Sequence, residues 1–443
     1  MASLSAVARP PVLADYAAVI EETGVRADGQ HHLNTQATLE RLRALHANTY
    51  FFLVQRQRDW DDLRLEFLPA AAKSGLDVWP YFVPPSECPA PCALPFGEDY
   101  VRTATEISRL SLAFPNLKGW AIDDFADNVK LFTPEYVGKL RNAGREVNPR
   151  LLFYPLLYWR SMEPEFLDPY STAIDGVILA YRDEPTVNTS RNTTLRAQLT
   201  AAESLLRERG KSLILMIYCA PLGRLPIPPG VDYVRDSVSM GLSDAAAGKL
   251  AGVVTYALDK SGERASATRN YAHGGRGRAT ISASGKGIPA GSYGELASPV
   301  TVAAAQPVLR FWCTASYTRL PPGYFFVQVS LGDRVVWERD LSALGNNLWE
   351  PELVEIAGAV SGDTIHIRLS TKRSTGSISV LIGVDDLEGE DIAVSDPGFE
   401  APGKWIAAQT DPAYLPLVQV FDPELPIRLF EAVSAVYARY SSF

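Results

Sequence analysis

Histidine and cysteine are scarce in this chain of 443 residues, which contains five histidines and four cysteines. Neither residue type forms a cluster with the spacing of a zinc site, and Cys88 and Cys92 have no further cysteine or histidine close to them in the sequence. Because transition metals prefer nitrogen and sulfur ligands, the sequence argues against a metal centre of this kind. The two loop cysteines are expected to be free thiols or to form one small disulfide.

The chain also lacks an excess of positive charge and long apolar runs. The chain has 42 Lys and Arg against 51 Asp and Glu, a net charge of −9, and no basic cluster. Nucleic acid would be repelled by this charge, so we expect no nucleic-acid partner. No apolar run approaches the roughly 20 residues that cross a bilayer, so we expect no membrane partner. The first 16 residues lack the hydrophobic core of a signal peptide, and the sequence leaves the compartment and the oligomeric state open.

The chain is nevertheless 47% apolar, and its first part repeats one unit. Eight short, nearly continuous apolar runs recur, separated by loops and amphipathic stretches. The runs are Tyr16–Ile20, Thr49–Gln55, Asp77–Val83, Leu117–Phe125, Leu151–Tyr158, Ile174–Tyr181, Leu213–Cys219 and Gly252–Leu258. Their mean spacing of about 34 residues is the length of one strand-plus-helix unit.

These runs predict the fold of the first part. Continuous apolar runs are typical of strands that are covered on both faces, and the stretches Thr35–Ala47 and Thr133–Ala143 start with helix-capping residues. No Gly-x-Gly-x-x-Gly motif follows the first run. The pattern therefore predicts an α/β fold, a closed (β/α)8 TIM barrel over residues 1–272, rather than an open dinucleotide-binding sheet.

The pattern changes near residue 273, where a Gly- and Arg-rich linker leads into alternating apolar and polar residues. The alternating runs are Arg278–Ser284, Val308–Ala315, Tyr324–Leu331, Thr364–Ser370 and Ser377–Val384. Such runs, separated by turns and without helices, predict an antiparallel, jelly-roll-like β-sandwich over residues 273–400. Residues 401–443 are predicted to form a tail whose final helix, from Glu424 to about Tyr440, packs back on the body.

Functional side chains of TIM barrels follow the carboxyl ends of the strands, and the fourth run ends in two acids, Asp123 and Asp124. Adjacent carboxylates repel, so partial burial raises the pKa of one of them and separates a proton donor from a charged group. Alternation along the strand points Asp123 into the barrel mouth. Capping of the next turn, or pairing with Arg56 or Arg160, is the alternative role.

The sixth run supplies a second pair of acids, Asp183 and Glu184, in the segment Tyr181-Arg-Asp-Glu-Pro185. We interpret them as candidate catalytic acids, and a salt-bridged loop that uses the arginine of this segment is the alternative. Alternation along the run favours Asp183 over Glu184 as the partner of Asp123.

Aromatic and polar residues at the ends of the other runs are candidate substrate contacts. Aromatic faces stack on sugar C–H surfaces while acids and arginines bond to hydroxyl groups, so this mouth suits a carbohydrate. The candidates are Glu22, His31, Arg56, Tyr81, Trp159, Arg160, Tyr181, Tyr218, Tyr256 and Asp259. Core packing is the alternative for each aromatic, and a loop position without a special role is the alternative for His31. Glu87 and Tyr158 also follow strand ends, and Lys260 is expected to pair with Asp259.

A TIM barrel with acids at its mouth, followed by a β-sandwich, resembles the modular glycoside hydrolases. Asp123 and Asp183 match the places of the nucleophile and the acid/base in the retaining α-galactosidase/α-glucosidase clan. The segment Ile122-Asp-Asp-Phe125 resembles the Asp-Asp pair of the O-GlcNAcase-like hexosaminidases, whose first Asp orients the substrate acetamide and whose second is the acid/base. The resemblance implies hydrolysis of glycosidic bonds in an oligo- or polysaccharide, with retention of configuration.

Two acidic segments of the second part, Gly383–Leu387 and Asp396–Glu400, resemble the strand edges of jelly-roll carbohydrate-binding modules. The resemblance implies a structural calcium ion at Asp385 and Asp386, since carboxylate oxygens suit calcium, and a solvated acidic turn is the alternative. No cofactor is expected in the barrel. The alternative function is that of a non-catalytic carbohydrate-binding protein on a TIM-barrel scaffold.

Overall fold

The structure, a computed structural model, describes residues 10–88, 94–184, 189–221, 227–266, 271–304 and 306–441. Its first part is a closed barrel of eight parallel strands, and its second part consists of two antiparallel sheets. The predicted TIM barrel and β-sandwich are thus confirmed. Cys88 is disulfide-bonded, whereas its loop neighbour Cys92, like Pro185, lies outside the described residues.

Ten strands belong to the first part. They are β1 (Val12–Tyr16), β2 (Glu21–Val25), β3 (His31–Leu33), β4 (Thr49–Val54), β5 (Asp77–Phe82), β6 (Gly119–Ile122), β7 (Leu152–Leu157), β8 (Gly176–Ala180), β9 (Ser212–Tyr218) and β10 (Gly252–Tyr256). Strands β2 and β3 form a small hairpin, and the other eight pair in chain order until β10 closes on β1. All eight carboxyl ends therefore meet at one mouth.

The first barrel strand lies earlier than predicted. β1 ends at Tyr16, the residue at which the predicted run Tyr16–Ile20 begins. The cause is Asp15, a fully buried acid inside the true strand, which interrupts the apolar pattern that sequence reasoning follows. The other seven runs match barrel strands to within a few residues at each end.

Nine α-helices lie among the described residues, and most of them cover the barrel. They are α1 (Thr35–Ala44), α2 (Gln57–Asp62), α3 (Leu68–Lys73), α4 (Tyr100–Ala113), α5 (Pro134–Val147), α6 (Pro164–Leu167), α7 (Leu195–Arg207), α8 (Val231–Ala246) and α9 (Leu425–Tyr437). Asn34 and Thr133 cap α1 and α5 through their side chains. Helix α9 buries Leu429 and Val433 in the core around the barrel. None of the described helices has the length and apolar character required to cross a membrane.

Eleven strands build the second part as far as it is described. They are β11 (Gly277–Lys286), β12 (Tyr293–Val302), β13 (Val308–Tyr317), β14 (Phe325–Leu331), β15 (Arg334–Asp340), β16 (Glu350–Glu355), β17 (Thr364–Thr371), β18 (Ser377–Glu390), β19 (Ile392–Val394), β20 (Ile406–Gln409) and β21 (Tyr414–Val420). One sheet has the order β16-β13-β18-β11-β21 and the other β15-β14-β17-β12-β19, with β20 also on β12. Because β20 and β21 pair with sandwich strands, the sandwich continues to Val420, into the segment predicted as a tail.

Alternate residues of the barrel strands fill the interior, and the residues between them face the helices. On β5, Trp79 and Tyr81 point inward, whereas Val78 and Phe82 join the outer core. A Cβ atom on Gly119 of β6 would lie 2.6 Å from the Trp79 ring. The small residues of β6 therefore leave room for the aromatic side chains that fill the barrel below its mouth.

Candidate active site

Asp123 lies at the centre of the barrel mouth. It follows β6 directly and continues the inward-facing series of Gly119 and Ala121. The hydroxyl of Tyr16 donates to its Oδ2 atom at 3.2 Å, and the hydroxyl of Tyr81 donates to its Oδ1 atom at 3.2 Å. Tyr16 is the last residue of β1, and Tyr81 lies near the end of β5. Two parts of the mouth therefore hold one carboxylate in place.

Two opposing effects set the pKa of Asp123. Burial, followed by the adjacent charge of Asp124, raises the pKa of Asp123 to about 7. The backbone N–H of Asp124, 2.9 Å from Oδ1, and the phenols of Tyr81 and Tyr16 stabilise the charged form and limit the rise. The balance leaves the pKa of Asp123 raised, the direction expected from the sequence for one member of this pair.

Asp124 turns the chain away from the barrel, since its backbone is in the left-handed region (φ 37°, ψ 38°). Its carboxylate accepts a hydrogen bond from the phenol of Tyr158, which follows β7. The guanidinium of Arg182 lies 3.4 Å from the centre of the Tyr158 ring and pairs with Glu184 at 2.5 Å. The segment after β8 thus supports Asp124 indirectly, through the tyrosine.

Five tyrosines from the carboxyl ends of barrel strands surround the aspartates, and we call them the tyrosine wall. They are Tyr16, Tyr81, Tyr158, Tyr218 and Tyr256. The ring centres of Tyr218 and Tyr256 are 5.0 Å apart, and those of Tyr16 and Tyr81 are 4.0 Å apart. Burial, and then the charges of Asp123, Glu87 and Asp124, raise the pKa of Tyr256 to about 12. The wall is an aromatic surface that faces carboxylates, the combination that suits a sugar.

Sequence reasoning identified four of these tyrosines at strand ends and missed Tyr16. The omission follows from the shift of β1, because Tyr16 was placed at the start of its strand instead of its end. The alternation of inward-facing residues could have identified Tyr16. Ala14 and Tyr16 face the barrel interior at alternate positions of the first strand, just as Met216 and Tyr218 do at the end of β9.

Glu87 is a third carboxyl group at the mouth. It lies on the loop between β5 and α4, in a turn closed by its own N–H and the carbonyl of Pro84 at 3.0 Å. Burial, and then the charges of Asp123 and Asp124, raise the pKa of Glu87 to about 9. We call Asp123, Asp124 and Glu87 the acid cluster.

The structure does not bring Asp183 into this cluster. On β8, Ile178 and Ala180 fill the barrel interior, whereas Tyr181 packs in the outer core. Asp183 belongs to the outward series of Tyr181, and Arg182 belongs to the inward series. The alternation that favoured Asp183 as a partner of Asp123 was correct as a pattern, but it was assigned to the wrong face of the sheet.

Asp183 and Glu184 instead hold the chain segment between β8 and α7. Asp183 is 2% exposed and accepts hydrogen bonds from the hydroxyls of Tyr181 at 2.9 Å and Thr193 at 3.0 Å. The N–H and the hydroxyl of Thr194 also donate to it, at 3.1 and 2.8 Å. Glu184 accepts from the backbone N–H of Arg160 at 2.9 Å. Each acid is thus engaged in local structure, which matches the alternative role that the sequence left open.

Three predicted contacts lie around the β2–β3 hairpin and α2. Glu22 forms an ion pair with Arg26 at 2.6 Å, and Nδ1 of the exposed His31 lies 3.0 Å from the carbonyl oxygen of Glu22. Arg56 is exposed at the start of α2, where its backbone N–H donates to Asp59 at 2.9 Å. The structure gives the side chains of Glu22 and His31 partners of their own, and the role of all three residues in substrate binding stays a prediction.

Two further candidates follow β7. Trp159 is half-buried and packs against the core. Arg160 is exposed, forms an ion pair with Asp127 at 2.6 Å and lies 5.2 Å from the Tyr158 ring centre. Arg160 therefore lies on the rim beside the tyrosine wall.

After β10, Asp259 does not form the expected pair with Lys260. The Asp259 carboxylate accepts from the N–H of Ser261 at 2.7 Å. Lys260 turns inward instead and pairs with Asp15 at 2.5 Å, with neither side chain exposed. The sequence did not predict Asp15 as the partner of Lys260. Asp15 is also the buried acid that interrupts the apolar pattern of β1.

The predicted calcium ligands of the sandwich contact the linker. Asp385 accepts from the N–H groups of His273 at 2.8 Å and Gly274 at 3.0 Å, and Asp386 binds Nδ1 of His273 at 2.6 Å. Among the described residues, no group of three or more His, Cys, Asp or Glu side chains has the arrangement of a metal site. The calcium ion at Asp385 and Asp386 stays a prediction.

No family model and no curated protein matches the chain. Similar solved structures include a Bacteroides uniformis beta-glucuronidase, with a TM-score of 0.45 and 9% identity over 84% of this chain and 65% of that chain. A glucosidase from Croceicoccus marinus has a TM-score of 0.41 and 9% identity over 82% of this chain and 95% of that one. An exo-beta-1,4-mannosidase from Opitutaceae bacterium strain TAV5 has a TM-score of 0.40 and 16% identity over 56% and 51%. These are distant similarities of fold, and the chain spans 65% of the beta-glucuronidase's length.

Proposed function

We propose that this protein hydrolyses O-glycosidic bonds of an oligo- or polysaccharide, and that Asp123 is the nucleophile or the carboxylate that stabilises the oxocarbenium-like transition state. The observation that supports this proposal is the position of Asp123, which is held by two tyrosines at the mouth of a closed barrel beside a second carboxyl group. Glycoside hydrolysis requires one charged carboxylate and one protonated carboxyl group close together.

The surroundings of Asp123 suit this role. Positive charge develops on the sugar ring in the transition state, and a fixed carboxylate in a site with little water stabilises such charge strongly. Tyr16 and Tyr81 hold the carboxylate in place and favour its charged form. The tyrosine wall offers apolar faces to the sugar ring and hydroxyl groups to its polar edge.

The proton donor is expected within the acid cluster rather than on the segment after β8. Asp183 and Glu184 accept hydrogen bonds from neighbouring loop residues, whereas Asp124 directly follows Asp123 and the charges of both aspartates raise the pKa of Glu87. Whether the anomeric configuration is retained, as the family resemblance implies, is measured by NMR of the first product formed.

A panel of 4-nitrophenyl glycosides of both anomeric series tests the proposal. We expect turnover by the wild-type protein and a loss of at least about 100-fold in Asp123→Asn. Asp232→Asn, the same change at an exposed site on α8, should retain full activity. Saturable sugar binding without turnover of any glycoside would contradict the proposal and support the carbohydrate-binding alternative.

A further inference from the structure

A buried arginine, Arg278, lies on the sandwich sheet that contains β11. On this strand Ala279 and Ile281 fill the sandwich core, so alternation points Arg278 to the outer face of the sheet. That face is covered as well, because Arg278 is only 6% exposed. Arginine side chains are almost never buried to this degree unless an acid pairs with them.

The guanidinium group of Arg278 is held by neutral side chains. Its Nε and Nη2 atoms donate to Oε1 of Gln419 at 3.4 and 3.2 Å, and its central carbon lies 4.9 Å from the centre of the Tyr271 ring. Within the described part of the chain, Nη1 has no hydrogen-bond partner and the guanidinium forms no ion pair. The segments outside that part contain no Asp or Glu. Asp385, whose charge acts on Arg278, accepts hydrogen bonds from three backbone N–H groups instead.

This part of the sheet has more hydrogen-bond donors than acceptors. Burial lowers the pKa of Arg278, because its positive charge has lost water without gaining a close counter-charge. The amide nitrogen Nε2 of Gln419 is also buried, and it has no partner among the residues that the structure describes. An anion beside Arg278 would supply the missing acceptor and the missing negative charge.

Arg278 lines a cavity of about 730 Å³ between the barrel, the sandwich and α9, a volume in the range of small-molecule sites. Most of the described lining residues are apolar, and Arg278 is the one cation among them. The apolar residues include Pro221 and Ala257 of the barrel, Leu381 of the sandwich, and Leu425 and Leu429 of α9.

Two acids also line the cavity, but each has a partner of its own. Asp259 accepts a hydrogen bond from the N–H of Ser261 at 2.7 Å, and Asp422 forms an ion pair with Arg428. Neither acid pairs with Arg278, so the positive charge of its guanidinium stays available to a ligand.

We propose that this cavity is a second ligand site, which takes a small monocarboxylate with an apolar body and binds it through Arg278. The planar fork of a guanidinium matches the two oxygens of a carboxylate. One cation among apolar walls balances a single negative charge better than the charge of nearly two on a phosphate group. The proposal does not depend on the glycosidase function, because no member of the acid cluster or the tyrosine wall is among the described lining residues.

Calorimetric titration of the full chain with three probes tests the proposal. The probes are 3-phenylpropanoate, its neutral counterpart 3-phenyl-1-propanol, and inorganic phosphate. We expect 3-phenylpropanoate to bind to one site at least about 10-fold more tightly than the alcohol, because its hydrogen bonds to Arg278 are charged. Arg278→Met should lower the affinity for the acid by at least about 10-fold and leave that for the alcohol nearly unchanged. Arg276→Met, which removes an exposed arginine of the same chain segment, should bind all three probes like the wild type.

A second variant locates the site without a change at Arg278, and it keeps the test decisive if Arg278→Met unfolds. Leu425→Trp would fill the cavity from α9, so we expect it to weaken binding of both the acid and the alcohol. Unchanged binding of the acid in Leu425→Trp or in folded Arg278→Met would overturn the proposed site. Equal affinities of the wild type for the acid and the alcohol, tighter binding of phosphate than of the acid, or no saturable binding of the acid would overturn the proposed ligand class. All these results leave the glycosidase function to the glycoside panel.

Discussion

The hydroxyl of Tyr16 donates a hydrogen bond to Oδ2 of Asp123 at 3.2 Å, joining the end of the first barrel strand to the end of the fourth. The two residues are separated by 107 positions in the chain, and only closure of the barrel brings them together. Because the phenol binds the charged carboxylate, it opposes the burial and the Asp124 charge that raise the pKa of Asp123.

Removing this hydroxyl should move the acid limb of the reaction. In Tyr16→Phe the charged form of Asp123 loses a donor, so its pKa rises further above about 7. We expect the acid limb of kcat/KM to shift upward by about one pH unit, the equivalent of about 1.4 kcal/mol. The control is Tyr136→Phe, which removes a hydroxyl that donates to the backbone carbonyl of Glu98 outside the barrel mouth. An unshifted limb would show that Asp123 does not need its charge.

Asp183 should prove structural. Its carboxylate accepts hydrogen bonds from Tyr181, Thr193 and Thr194, so Asp183→Ala leaves buried donors without an acceptor. We expect the free energy of unfolding to fall by about 1–3 kcal/mol, with kcat of the folded fraction changed only a few-fold. Urea unfolding and kinetics at low temperature measure the two effects. A loss of activity above 100-fold at unchanged stability would restore Asp183 as the catalytic partner of Asp123.

Much of the fold could be predicted from the sequence, because a strand buried on both faces carries its own signature. Seven of the eight runs coincide with barrel strands, and the caps of α1 and α5 are those expected. The first strand could not be located by the same means. Asp15 is stable in a barrel wall only because Lys260, 245 residues away, neutralises it, and no local pattern records a partner at that distance.

The site could be predicted only in part, for a related reason. Alternation shows which residues of a strand share a face, but it does not show which face is the interior. At β6 the small residues Gly119 and Ala121 indicated the crowded interior, and Asp123 was placed correctly. At β8 both faces are apolar, so alternation alone does not show whether Arg182 or Asp183 faces the barrel interior. Glu87, the third member of the acid cluster, lies on a loop, where no periodicity applies.

The buried pair of Asp15 and Lys260 should behave as one unit. Burial already raises the pKa of Asp15 in the presence of Lys260; Lys260→Met leaves this buried carboxyl group without its partner, and breaking such a pair costs about 3–5 kcal/mol. We expect the double variant Asp15→Asn/Lys260→Met to be more stable than Lys260→Met alone. Denaturant unfolding of the wild type, the two single variants and the double variant measures the coupling free energy of the pair. Additive effects of the two substitutions would contradict a direct pairing.

The stability that the β2–β3 hairpin contributes to the fold should depend on pH through His32. Its Nδ1 lies 2.6 Å from Asp62 and its Nε2 lies 3.0 Å from Asp28, and the hydrogen bond to Asp62 is the main cause that raises the pKa of His32. A raised pKa in the folded state stabilises the fold below the unfolded value of about 6.5, and this contribution is lost as the pH rises through the folded value. We therefore expect His32→Gln to lower the melting temperature more at pH 5.5 than at pH 9. Equal losses at both values would exclude a charged His32.

The charge of the mouth should select against anionic sugars. The acid cluster brings three carboxyl groups to the site, and Arg182, the cation behind the tyrosine wall, is already paired with Glu184. A carboxylate on the substrate would meet like charge, at a cost of about 1 kcal/mol or more for charges about 4 Å apart. For each matched pair of 4-nitrophenyl glycoside and glycosiduronate, we expect the neutral sugar to have at least about a five-fold higher kcat/KM at pH 7, with the difference shrinking as salt screens the repulsion. A preference for the uronate that weakens with salt would instead mean that a cation such as Arg160 reaches the sugar carboxylate from the rim.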